Sequence, residues 1–118
     1  MSETVSETAG KVVWFEVPAA ETSRALGFYG DLFGWQFEQM QGPMEYHMTY
    51  AGGGAIHPAE NNGILVYFGS ADIDASLARV TELGGKAGEK QEIPGVGRYA
   101  VCTDSEGNQF GLYEQGGA

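Results

Sequence analysis

From Val13 to Val17 one parity is wholly apolar, Val13, Phe15 and Val17, while the other carries Trp14 and Glu16, which is the alternation of a strand with two unlike faces. Val13, Phe15 and Val17 are expected to face a helix. Pro18 ends the strand, and Glu21, Thr22 and Ser23 supply acceptors and negative charge where a helix start needs them. Leu26, Tyr29, Leu32 and Phe33 recur at helical spacing and predict the buried stripe of that helix. Three short strands follow near 36–40, 45–50 and 54–57. The sequence then repeats itself. Val66 and Phe68 share one parity, and Leu65 and Tyr67 the other. Asp72 or Asp74 can cap a second helix whose stripe is Ile73, Leu77, Val80 and Leu83, and Gly84-Gly85 stops it. Strands near 86–92, 98–103 and 109–114 complete the second copy. Glycines at Gly52-Gly53 and the run Asp104-Ser105-Glu106-Gly107-Asn108 supply the tight turns before the last strand of each copy.

The pattern predicts an α+β fold of two tandem βαβββ modules, 11–58 and 63–115, within a single domain spanning 11–118. Residues at equivalent positions in the two copies should then form related surfaces. Residues 1–10 are small and polar, with Ser-Glu-Thr occurring twice, and are expected to form a disordered tail. The polar stretch 58–63 reads as a linker between modules.

Charge narrows the possible partners. Six basic residues against sixteen acidic ones give a net charge of −10, which repels phosphate backbones and anionic membranes, so neither nucleic acid nor a membrane is expected as a partner. Cys102 is the single cysteine, so no intrachain disulfide can form, and no apolar stretch reaches the length of a membrane span. These features suit a cytoplasmic protein. Cys102 itself reads as a buried strand residue.

The segments Phe28-Tyr29-Gly30-Asp31-Leu32-Phe33-Gly34-Trp35, Pro94-Gly95-Val96-Gly97-Arg98-Tyr99 and Thr103-Asp104-Ser105-Glu106-Gly107-Asn108-Gln109-Phe110-Gly111-Leu112-Tyr113-Glu114, in that order, resemble the glyoxalase, bleomycin-resistance and extradiol-dioxygenase proteins, the vicinal oxygen chelate superfamily. With the Trp14-Phe15-Glu16 opening they are most similar to its small single-domain actinobacterial members. The resemblance implies curled mixed sheets around a central cavity, with one helix per module outside. It also implies, in catalytic members, a divalent metal held by His, Glu or Gln from the first and last strands of the modules, open to vicinal oxygens of a substrate. Carried onto this chain, those positions are Val12 and Leu65 on the first strands and Ala55 and Gly111 on the last. None can bind a metal. A register slip of two residues moves them to Trp14, Tyr67, His57 and Tyr113, of which His57 alone is an ordinary ligand. The expectation is therefore no metal and no other cofactor; a site rebuilt from Glu16, His47, His57 or Glu114 is the alternative.

The inward parity instead offers aromatic and polar groups: Trp14, Glu16, Tyr67 and Tyr113, with His57 at a strand end. The third strand adds either Tyr46, Met48 and Tyr50 or Glu45, His47 and Thr49. Such a lining suits a planar or amphipathic small molecule; the same aromatics could equally fill the core. Glu16, flanked by apolar residues, is the candidate general base if it faces a dry cavity, and otherwise a strand-end carboxylate or a partner of Arg98. Arg98 could grip a ligand carboxylate or form an ion pair at the sheet edge. Gly52-Gly53-Gly54 lacks the Lys-Ser/Thr of a phosphate loop and reads as a hairpin turn, and Pro94-Gly95-Val96-Gly97 as a mobile flap.

The leading reading is a metal-free binding protein that captures an aromatic or apolar metabolite or antibiotic between the modules, through Trp14, Glu16, Tyr50, His57, Tyr67, Arg98 and Tyr113. The alternative is a lyase, isomerase or dioxygenase-type enzyme with relocated metal ligands or with Glu16 as base. The empty ligand positions favour binding over catalysis. A homodimer is expected, because superfamily members often cover their strand edges with a second copy.

Overall fold

The computed structural model describes residues 7–60 and 63–116. Eight strands and two helices follow one another as βαβββ twice: β1 (Val12–Ala19), α1 (Thr22–Phe33), β2 (Glu38–Gln39), β3 (His47–Thr49) and β4 (Gly54–Pro58), then β5 (Leu65–Gly69), α2 (Ile73–Glu82), β6 (Gln91–Ile93), β7 (Gly97–Thr103) and β8 (Gln109–Gln115). The class is α+β. Two compact units divide the chain, one of Trp14–Leu65 and the other of the residues from Val66 onward with those up to Val13.

In the first unit the strand order is β2-β3-β4-β1, with β1 and β4 parallel and the other pairs antiparallel. One face of this mixed sheet carries Val17, Ala19 and Ile56, buried beneath Ala25, Leu26 and Tyr29 of α1. That is the face the alternation in β1 predicts. The predicted helical stripe is cut short: Leu32 and Phe33 are more than half exposed, because α1 ends at Gly34. Gly34 takes a left-handed φ of 73° and its N–H donates to the Gly30 carbonyl, so the chain turns away before the last helical turn reaches the core. Trp35 then folds back among Phe15, Tyr29, Phe33 and Phe37, with ring centroids 4.9–6.3 Å apart. Its indole lies where a side chain on Gly52 would have to go. Glu21 sits at the N-cap of α1 without a side-chain cap; Thr22 instead turns its hydroxyl to Glu45.

The second unit repeats the order as β5-β8-β7-β6, with β5 and β8 parallel. Ile73, Ala100, Cys102 and Leu112 form its core under Leu77 and Val80 of α2. Asp72 caps α2, accepting from the Ala75 N–H at 3.2 Å. The strand expected over 86–92 is mostly absent. Lys86 makes an isolated bridge with Thr103, and β6 begins only at Gln91. Between them the Gly88 backbone presses against the Val101 carbonyl so closely that no side chain would fit, and the regular ladder is interrupted there.

Of the stretch expected as a disordered tail, Met1–Ser6 lie outside the described residues, while Ala9 bridges Gly69 and Gly10 and Lys11 exchange backbone hydrogen bonds of 2.9 Å with it. Asn61 and Asn62 of the expected linker also lie outside the described residues. Among the described residues no helix is long and apolar enough to cross a membrane.

Candidate functional site

The parallel pairing of β1 with β4 sets Glu16 opposite Ala55 and Pro18 opposite His57, while β3 sets Met48 opposite Ala55. Because side chains alternate along each strand, Trp14, Glu16, Ala55, His57, Met48 and their neighbours Tyr46 and Tyr50 share the sheet face away from α1. The third-strand alternative is thereby decided for Tyr46, Met48 and Tyr50. Thr49 is buried on the opposite face, and His47 lies there too.

Tyr46 organises the face. Its hydroxyl accepts from Trp14 Nε1 at 2.7 Å and donates to Glu16 Oε2 at 2.8 Å. The other oxygen of Glu16 stands 4.0 Å from His57 Nε2, and the Tyr46 and His57 rings are 6.1 Å apart. The Glu16 side chain is only 19% exposed and that of His57 30%. Tyr50, 69% exposed, tilts at 56° to Trp14 with 6.2 Å between centroids, and its hydroxyl points at the Met48 sulfur. A depression of about 300 Å³ opens at this end of the face, lined by Gln36, Phe37, Glu38, Met48, Tyr50 and Ala51.

On the helix side, Glu45 accepts from Thr22 Oγ1 at 2.6 Å and from His47 Nε2 at 2.8 Å. The Thr22 hydroxyl foremost, and then His47, hold the Glu45 carboxyl below the usual glutamate value. This cluster ties the start of α1 to the chain entering β3. His47 and Glu45 thus belong to the opposite face from Glu16 and His57.

In the second unit the corresponding face is built of phenols. Tyr67 is opposite Gly111, and Tyr99 is opposite Tyr113, with Tyr67 and Tyr99 edge to face at 6.1 Å. Tyr67 is 5% exposed and its ring covers Gly111, filling the space a side chain there would take. Burial pushes the Tyr113 phenol above its ordinary value, and its hydroxyl donates to the Val96 carbonyl at 3.2 Å. Gly116 N–H also donates to the Val96 carbonyl and the Val96 N–H donates to the Ile93 carbonyl, so 94–96 form a hydrogen-bonded turn between β6 and β7. Arg98 is on the helix side: it pairs with Glu92 at 3.1 Å and Glu114 at 2.8 Å, and Glu114 also accepts the Ile73 N–H at the start of α2. Arg98 and Glu114 are therefore an anchor for α2. They are not brought to the face that carries Tyr67 and Tyr113.

The ladders also correct the superposition of the two copies. Glu16 opposite Ala55 matches Tyr67 opposite Gly111, so Trp14, not Val12, is equivalent to Leu65. The shift is confined to the first copy, where Glu16 and not Trp14 holds the position of Tyr67. Tyr99 is the residue the sequence reading missed, and Tyr46 is one it left as an alternative. Tyr46 had only the parity of a three-residue strand to mark it, and that parity is fixed by pairing with β4.

The divalent metal implied by the superfamily resemblance does not fit these donors. Among the described residues no three His, Cys, Asp or Glu side chains form a group able to hold a metal ion. Glu16 and His57 make a pair on one face, His47 and Glu45 a pair on the other, and Ala55 and Gly111 offer no ligand atom.

A duplicated βαβββ unit with this order of strands defines a protein of the glyoxalase-like architecture. The chain belongs to the glyoxalase-like domain family, whose model matches residues 13–113, within the vicinal oxygen chelate superfamily. It is similar to CFP32 of Mycobacterium tuberculosis, a candidate glyoxylase by name, at 33% identity over 118 residues, 92% of this chain and 45% of that protein. It is also similar to the anthracycline biosynthesis protein DnrV of Streptomyces peucetius, at 27% identity over 91% of this chain and 48% of that one. The chain thus spans about half the length of these relatives. In fold it is similar to methylmalonyl-CoA epimerase from Mycobacterium tuberculosis, with a TM-score of 0.69 at 15% identity, covering 92% of this chain and 89% of the other.

Proposed function

We propose that the chain is a metal-free small-molecule binding protein that captures an aromatic or otherwise apolar metabolite on the face formed by Trp14, Tyr46, Tyr50 and His57. The observation that carries this reading is the Trp14–Tyr46–Glu16 hydrogen-bond chain, which fixes two aromatic side chains and a carboxylate in one orientation beside the exposed Tyr50. Fixed aromatic faces give stacking area at little entropic cost, and a few placed polar atoms give orientation. The similarity to an anthracycline biosynthesis protein supports the aromatic class. The absence of a three-ligand cluster among the described residues supports binding without a metal.

A panel of flat aromatic compounds titrated against Trp fluorescence, with thermal shifts in zinc, nickel, iron and manganese alongside, tests the proposal. Saturable binding with no stoichiometric metal in the purified protein is expected; a bound metal whose removal unfolds the chain or abolishes binding overturns it.

A second reading, an enzyme of the lyase or isomerase type with Glu16 as general base, is favoured by the Glu16–His57 pair on the same face. It requires turnover that a Glu16→Gln variant loses. The working form is proposed to be a cytoplasmic homodimer. Phe28, Leu32 and Phe33, each more than half exposed near the end of α1, are the apolar surface that supports association. Sedimentation as a monomer at micromolar concentration would count against it.

A further inference from the structure

We propose that the Thr22–Glu45–His47 cluster on the helix side of the first unit is the positioning device for Tyr46, so that these residues set the affinity of the opposite face without touching its ligand. The inference rests on the binding reading above and assigns to it residues that face the other way.

Tyr46 joins Trp14 Nε1 to Glu16 Oε2, yet it stands one residue before β3, which begins at His47. The stretch 41–45 leading to it is exposed. A side chain at the mouth of an exposed loop keeps its direction only if the backbone on both sides is tied down. The ties are of two kinds. On the backbone, the Met40 N–H donates to the Tyr46 carbonyl at 2.9 Å, and His47 pairs with Gln39 of β2 and Ile56 of β4. Glu45 precedes the ladder and is held by side chains, accepting from Thr22 Oγ1 at 2.6 Å and from His47 Nε2 at 2.8 Å.

Successive residues of an extended chain point to opposite faces, so a clamp on 45 and 47 sets the direction of 46. The clamp also reaches beyond its own strand. Thr22 is the first residue of α1, and Ala25, Leu26 and Tyr29 of that helix pack on Val17, Ala19 and Ile56, so the Glu45 carboxylate is tied to the core through the helix. Thr22 is also the larger of the two influences that hold the Glu45 carboxyl low, which marks its hydroxyl as the stronger grip. With Glu45 released, 45–46 follow the loop, and Tyr46 spends part of its time away from Trp14 and Glu16. A ligand then has to reorder the face as it binds, and that ordering is taken out of its affinity.

Two readings on the full chain test the proposal. In isotope-labelled protein the Trp14 indole N–H resonance, assigned with Trp14→Phe, reports whether Tyr46 is in place, and calorimetry with 2-naphthalenemethanol reports the binding face. Glu45→Ala should move the Trp14 resonance upfield, toward that of a hydrated indole, and weaken the probe about threefold, a modest factor because the Glu45 side chain is nearly half exposed. Thr22→Val should act in the same direction to a smaller extent, and Thr22→Ser, which keeps the hydroxyl, should match wild type in both readings. Leu77→Ala, which lowers stability through the core of the second unit, should leave both unchanged. An unmoved Trp14 resonance in Glu45→Ala overturns the proposal, as does a Leu77→Ala shift of the same size. If Glu45→Ala fails to fold, the other pair decides, and equal Trp14 resonances in Thr22→Val and Thr22→Ser overturn it. If the resonance moves as expected while wild type binds no probe at millimolar concentration, the positioning of Tyr46 stands and the binding reading falls.

Discussion

Replacing Tyr46 with Phe removes one oxygen and should disturb two groups at once. The ring stays, so packing is nearly unchanged, but Trp14 Nε1 loses its 2.7 Å acceptor and Glu16 Oε2 its 2.8 Å donor. A neutral N–H···O bond contributes roughly 1 kcal/mol net and a bond to a carboxylate roughly 1.5. Since the Glu16 side chain is 19% exposed, water recovers part of the second term, and we expect a loss of about 2 kcal/mol in total. For a domain of this size that corresponds to a fall in Tm of about 8 °C. Chemical denaturation followed by circular dichroism measures the first quantity and calorimetry the second. Trp14 fluorescence should shift to longer wavelength as the indole N–H turns to water. Tyr50→Phe, which removes a hydroxyl from a side chain 69% exposed, serves as the control and should stay within about 0.5 kcal/mol of wild type. A double-mutant cycle of Tyr46→Phe with Glu16→Gln should give a coupling of about 1 kcal/mol. If Tyr46→Phe is no more destabilising than Tyr50→Phe, the hydrogen-bond chain does not order the face.

Gly111→Ala would put a methyl group into the Tyr67 ring, and overpacking of this kind should cost about 1–3 kcal/mol. The double variant with Tyr67→Ala should be no less stable than Tyr67→Ala alone; a Gly111→Ala protein melting with wild type would refute the contact. Thr22→Val should raise the Glu45 pKa toward its ordinary 4.5, because the Thr22 hydroxyl is the largest cause of its depression. A depressed carboxyl pKa contributes stability above the unfolded value, about 4.5, and that contribution disappears as pH falls through the lower folded value. The stability difference between wild type and Thr22→Val should therefore shrink from pH 7 to pH 3, and an unchanged difference would exclude the linkage.

Much of this arrangement is legible in the residues themselves. The alternation in Val13–Val17 is enough to put Trp14 and Glu16 on the face away from α1, since a strand admits only two orientations. The repeat of βαβββ follows from two helical stripes separated by short strands. Other features depend on contacts that no local pattern carries. Whether Tyr46 or His47 joins Glu16 turns on Met48 pairing with Ala55, a long-range register. Equating Val12 with Leu65 respects the alternation and is still two residues out, because a shift of two keeps every side chain on its face. Leu32 and Phe33 have helical spacing, but the early left-handed stop at Gly34 leaves them outside the core. Arg98 offers a guanidinium to any carboxylate, and Glu92 and Glu114, its neighbours across two ladders, take it.

The match between Glu16 and Tyr67 has a consequence for stoichiometry. A duplicated fold can present any surface twice, and two equal sites per chain would be the default of a perfect repeat. Here one copy places a carboxylate opposite Ala55, and the other folds a phenol ring over Gly111. The duplication is therefore symmetric in its backbone and asymmetric in its chemistry, and under the proposed binding function a ligand that needs the carboxylate is expected to saturate at one molecule per chain.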